Sequence, residues 1–182
     1  MRILSLNRLV RILGIPREEL EIIASSVGSH YHTFPLERPG KKPRLIDRPD
    51  RVLRNVQRQI HRRLLKTINF PEFLHGGLRG RSPQTNAFQH LGKHLVVRID
   101  IQDFFSSITD RQIYSVWADK LGNSPPVASL LTTLTTYRRH LPQGAPTSTY
   151  LANLVLLGAD QVLTQLPRFP GPRGRNLGVR GA

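Results

Sequence analysis

The stretch LVVRIDIQDFFSSI, residues 95–108, decides how the rest of the chain is read. Leu95, Val97, Ile99 and Ile101 alternate with Val96, Arg98 and Asp100, the period-two pattern of a β-strand. The odd positions then share one face, and Asp100 projects from the other near the strand end. A carboxylate leaving a strand end is a natural ligand for a hard divalent cation such as Mg²⁺, which takes oxygen donors and keeps positions open for phosphate. An aspartate there is also a common cap or turn residue, and the spacing alone does not separate the two readings.

Composition bounds the partners. The 182 residues fit one domain, and a hydrophobic fraction of 38% supplies a core. Lys and Arg number 27 against 12 Asp and Glu, a formal charge of +15. Such a field attracts polyanions, nucleic acid first and an anionic membrane surface second. The absence of cysteine removes disulfides and thiolate zinc sites and favours an intracellular setting. Arg2, Arg8 and Arg11 break the opening segment, and no uncharged run reaches the roughly 18 residues that a membrane span needs.

Outward from the central stretch, Pro16 followed by REELEIIAS predicts a short helix, with acids in its first turn. Residues 31–47 read as extended, with a turn at Pro39 and Gly40. Pro49 opens a longer helix in which Val52, Val56, Ile60 and Leu64 recur every fourth position, while Arg51, Arg54, Arg58, Arg62 and Arg63 occupy other faces. A glycine-rich loop, HGGLRGRS, covers 75–82. Asp110 is expected to cap a helix carrying Ile113, Val116, Trp117 and Leu121, and PPVASLLTTLTTY forms another. After the loop LPQGAPTS, YLANLVLLGADQVLTQL reads as a buried helix. Residues 167–182, PRFPGPRGRNLGVRGA, carry four Arg, four Gly and three Pro without an acid, a composition that builds no packed element.

Three segments in fixed order, HGGLRGRSPQTNAFQH, VVRIDIQDFFSSI and LPQGAPTSTYLANL, carry a resemblance. Together they resemble a reverse transcriptase, most of all the retron or retron-like bacterial group, over about residues 12 to 166. Asn86, Ala87 and His90 are similar to an element that distinguishes retron enzymes from their relatives. The resemblance implies an α+β right-hand polymerase architecture: an N-terminal helical segment at 1–30, then fingers and a partial palm at 31–166, with an antiparallel palm sheet, packed helices and no thumb. It implies Asp100 as the first metal-binding carboxylate, with the Ile101 carbonyl beside it and two Mg²⁺ ions in a complete member. Two ions would clamp the entering and leaving oxygens of an in-line nucleotidyl transfer. Phe105 takes the position of the steric gate against a ribose 2′ hydroxyl, whereas Phe104 is expected in the core. Arg44 matches the fingers arginine that closes on the triphosphate, with Lys41 or Lys42 helping, since a guanidinium fork suits phosphate. Asp103, Gln143 and Gly144 complete the expected nucleotide set. Asn86 and His90 read either as RNA contacts or as a loop-closing pair. Arg54, Arg58 and Arg62 are expected to track RNA phosphates. Thr149 stands where the family usually has proline.

One family element is missing. An aromatic residue, a variable residue and two adjacent aspartates should follow the helix after LPQGAPTS. No two of the seven aspartates, Asp47, Asp50, Asp100, Asp103, Asp110, Asp119 and Asp160, are adjacent, and no acid follows Asp160. Asp100 alone leaves two divalent ions and a triphosphate undercompensated, so the chain by itself is expected to be inactive. Residues 167–182 are read as a frameshift or truncation scar in preference to an RNA-binding tail. The resulting expectation is a retron-type RNA-directed DNA polymerase in a bacterial cytoplasm. Its partners would be a structured non-coding RNA as template and primer, dNTPs, a DNA product and no membrane, with a second polypeptide possible to complete palm and thumb and a role in phage defence. The rivals are a non-catalytic RNA-binding protein, or a group II intron or diversity-generating reverse transcriptase.

Overall fold

In a computed structural model, which describes residues 2–93 and 96–165, a helical core carries one β-hairpin. Helix α1 (Leu6–Leu13) starts on a Ser5 side chain that accepts from the Arg8 amide, and ends on Gly14. Helix α2 (Arg17–Ser25) follows Pro16, with Glu18 and Glu19 at its positive end. Strands β1 (Tyr31–Arg38) and β2 (Lys41–Pro49) pair antiparallel, with Tyr31 opposite Pro49, Thr33 opposite Asp47 and Leu36 opposite Arg44. Helix α3 (Arg51–Arg63) follows directly.

The second half contributes α4 (Pro83–Phe88), α5 (Phe104–Ser107), α6 (Asp110–Ser115) with a π-helical continuation at Val116–Lys120, α7 (Pro125–Thr135) and α8 (Ser148–Gln165). Leu9, Leu20, Leu53, Ile60, Trp117 and Leu131 are among the side chains that join these helices in one apolar cluster. Among the described residues, no helix is long and apolar enough to cross a membrane.

Several expectations are corrected. Residues 96–101 form no strand: Val97 is 72% and Ile99 77% exposed, and no ladder pairs them. Alternation marks a backbone suited to a sheet, but a strand exists only where a neighbour satisfies its N–H and C=O groups. The expected palm sheet is accordingly not found among the described residues, whose single sheet is the β1–β2 hairpin. Leu95 and residues 167–182 lie outside the described residues. In α3 the buried stripe is Leu53, Val56, Gln57 and Ile60, with Val52 exposed, because a helix turns every 3.6 residues and its buried face follows mixed three- and four-residue steps. The α3 cap is Asp50, whose side chain accepts from the Leu53 amide. Thr109 caps α6 in place of Asp110, through a reciprocal pair with Gln112. Helix α8 is buried only over its first turns; Val162 and Leu163 are exposed.

Candidate functional site

Three chain segments that are distant in sequence surround one cavity of about 670 Å³. The hairpin supplies Thr33, Arg44 and Asp47, the segment after the exposed 96–99 run supplies Asp100 to Ser106, and the loop before α8 supplies Arg138, His140 and Gln143.

Asp47 ties the hairpin to the loop. Its side chain is buried, 5% exposed, and both oxygens are engaged: Oδ1 accepts from Thr33 Oγ1 at 2.7 Å and Oδ2 pairs with His140 Nε2 at 3.0 Å. Its amide donates to the Gln143 carbonyl at 2.9 Å. Gly144 follows with φ +125, and a Cβ there would lie 3.0 Å from Ile46 Cγ2 and 3.3 Å from the Asp47 carbonyl oxygen. Only glycine accepts both that backbone and that approach. On its far side the loop is held by the Leu141 amide donating to Ile108, and by Ser148 Oγ donating to the Pro142 carbonyl at 2.6 Å.

Behind the loop, Tyr31 stacks on Tyr137 with centroids 4.4 Å apart. Gln57 Nε2 bridges the Tyr31 hydroxyl and the Leu134 carbonyl. Burial, the largest cause, pushes the Tyr31 hydroxyl well above its usual pKa, so it stays a neutral hydrogen-bonding group.

The acidic wall is built on a sharp turn. Asp103 has left-handed backbone, φ +48, and its carbonyl accepts from Ser106 Oγ and Ser107 Oγ at 2.9 and 3.1 Å. The turn carries Phe104 and Phe105, half-buried, with ring centroids 5.5 Å apart. Both rings line the cavity, so Phe104, expected purely in the core, also faces the site.

Of the residues singled out from sequence, Arg44, Asp100, Ile101, Asp103, Phe105 and Gln143 line this one cavity, and Gly144, next in the chain, packs against Ile46 and Asp47. Lys42 is exposed and outside the lining. Asn86 in α4 and His90 just after it are exposed and lie apart from it. Arg54 donates to the Pro49 carbonyl at 2.5 Å, which gives it a role in the β2–α3 junction. Arg58 and Arg62 line a separate groove of about 520 Å³ with Lys66 and His61. Burial, and then the Lys66 charge, lower the His61 pKa, so this groove draws its positive charge from arginine and lysine.

Sequence reading missed Thr33, Asp47, Arg138 and His140. Asp47 carried no clear signal: of its neighbours on the same strand face Pro49 is buried, but Leu45 is exposed.

Hard-oxygen donors suit Mg²⁺, and Asp100, Asp103 and the Ile101 carbonyl are of that kind. However, no group of three or more His, Asp or Glu side chains able to hold a metal occurs among the described residues, and the Asp47 oxygens are already engaged. The residues present therefore fit one edge of a metal site, and do not fit a two-ion set.

No family model matches the chain. Among curated proteins it is 36% identical to the retron Se72 reverse transcriptase of Salmonella heidelberg (strain 579083-10) over 157 residues, 86% of this chain and 41% of that one. It is 30% identical over 172 residues to the retron Ec86 reverse transcriptase of Escherichia coli, covering 93% and 52%. It is 34% identical over 160 residues to the retron Mx65 reverse transcriptase of Myxococcus xanthus, covering 78% and 37%. These matches define the class, reverse transcriptases, and within it the chain belongs to the retron group. The resemblance read from the three motifs is borne out. The chain spans about two fifths to half the length of these relatives.

Proposed function

We propose that the chain supplies the incoming-nucleotide pocket of a retron-type RNA-directed DNA polymerase, with residues 31–166 as fingers and partial palm. The observation that carries this reading is that Arg44, Asp100, Phe105 and Gln143, drawn from three segments, line a single cavity. Its volume suits a small-molecule ligand. Arg44 on the hairpin offers a planar fork to phosphate, opposite the acidic wall of Asp100 and Asp103. Phe105, which lines the same cavity, would press on the sugar and exclude a 2′ hydroxyl. Gln143 is fixed by the Asp47 clasp and offers an amide to the nucleotide. Template RNA would cross the Arg58, Arg62 and Lys66 groove, held through phosphates without sequence reading.

Asn86 and His90 stand exposed as further RNA contacts. The resemblance also suggests a cognate structured RNA as primer and template, a DNA product, dependence on Mg²⁺, a cytoplasmic setting, a role in phage defence and a second polypeptide that completes the site.

Titration of the chain with a fluorescent deoxynucleoside triphosphate in Mg²⁺ tests the reading. Saturable binding that Arg44→Ala weakens about tenfold is expected, the loss of one charge-assisted phosphate contact. RNA binding with no nucleotide binding would overturn it in favour of a non-catalytic RNA-binding protein. Because no adjacent aspartates occur in these 182 residues, no primer extension is expected from the chain alone. Extension that Asp100→Ala abolishes would overturn that expectation.

A further inference from the structure

Among the described residues, three non-glycine residues have left-handed backbone: Asp103, Arg138 and Arg139, with φ of +48, +46 and +65. All three belong to one place. Asp103 and Arg138 line the cavity, and Arg139 is the next residue along.

The turn that holds the arginines is tight. The Tyr137 amide donates to the His140 carbonyl and the His140 amide to the Tyr137 carbonyl, both at 2.9 Å. Arg138 and Arg139 are thus the two central residues of a two-residue hairpin with both φ positive, a turn that ordinarily takes Asn-Gly. Arginine is a poor choice for that backbone, and strain of this kind persists only where the surroundings over-determine it.

The surroundings do so here. Tyr137 is stacked on Tyr31, and His140 is fixed on buried Asp47. The two arginines have different uses. Arg139 Nε lies 3.5 Å from Asp110 Oδ2, a surface pair. Arg138 makes no ion pair among the described residues; its guanidinium lies 5.0 Å from the Tyr137 ring centroid and its side chain borders the cavity that Arg44 also lines. Stacking on an aromatic face orders a guanidinium without consuming its N–H donors. A cation held ready in this way, at a conformational expense the fold does not need, suits an anionic ligand.

We infer that Arg138 is a second phosphate-binding residue of the pocket, which grips the triphosphate of the incoming nucleotide together with Arg44 across the cavity. This builds on the nucleotide reading above and extends it to a residue that none of the three motifs contains.

The strain supplies the test. Asparagine tolerates left-handed backbone, so Arg138→Asn removes the charge while relaxing the turn. Its thermal midpoint should rise, while affinity for a fluorescent deoxynucleoside triphosphate in Mg²⁺ falls about tenfold, as expected for one lost charge-assisted contact. Arg138→Lys should recover part of that affinity. A purely structural arginine would give a lower midpoint together with weaker binding, and that result would overturn the inference. Unchanged nucleotide affinity in Arg138→Asn, or weaker binding of single-stranded RNA alone, would also overturn it. Nucleotide binding that Arg44→Ala weakens and Arg138→Asn does not would overturn the inference while sparing the pocket. A wild-type chain that binds no nucleotide would overturn both.

Discussion

His140 Nε2 lies 3.0 Å from Asp47 Oδ2, joining residues 93 apart in sequence. The pair fixes the Gln143 loop on the strand that carries Arg44, so the two sides of the cavity share one anchor. Asp47→Ala removes two part-buried hydrogen bonds to a carboxylate, from Thr33 and from His140, and should lower stability by about 1–3 kcal/mol. Chemical unfolding of the two chains measures it.

Gly144→Ala meets both forbidden backbone and contact with Ile46 and the Asp47 carbonyl. A loss of about 1–3 kcal/mol is expected. Nucleotide affinity should fall in the same variant, because the loop that positions Gln143 must shift. Thermal unfolding and nucleotide titration read the two effects separately.

Asp50 predicts a pH dependence. Burial alone would raise its pKa, but the hydrogen bonds from His30 and the Leu53 amide outweigh burial, and the pKa falls below the ordinary carboxylate value. A carboxylate depressed on folding adds stability above its unfolded pKa, near 4, and loses it as pH falls through the lower folded value. Asp50→Ala should therefore cost about 1 kcal/mol at neutral pH, as for other helix caps. The gap to wild type should close as the pH drops below about 4. Stability curves of both chains across that range check the sign.

The groove on α3 makes a salt prediction. Replacing Arg58 and Arg62 together with alanine should weaken RNA binding about equally for unrelated sequences. The slope of log affinity against log salt should fall by about 1–2. Fluorescence anisotropy at several salt concentrations gives both.

Much of this was legible in the sequence, for local reasons. The spacing of Val52, Val56, Ile60 and Leu64 pointed to α3, and all but Val52 are buried, because helix burial is a matter of one repeating angle. Arg44, Asp100, Phe105 and Gln143, singled out through motifs, line one cavity, and motifs are read from residue type and order. Residues 96–101 misled, because alternation describes one strand while a sheet requires its neighbour. The Asp47–His140 clasp lay beyond any local pattern. The turn at Arg138 and Arg139 was hidden for the opposite reason: positive φ is advertised by glycine or asparagine, and two arginines conceal it.

The measurement that tests the pocket most directly is discrimination at the sugar. If Phe105, which lines the cavity, acts as the gate of the proposed pocket, the wild-type chain should bind a deoxynucleoside triphosphate more tightly than the matching ribonucleoside triphosphate. Phe105→Ala should bring the two affinities together mainly by improving the ribonucleotide. A wild-type chain without that preference, or a Phe105→Ala chain that keeps it in full, would contradict the account.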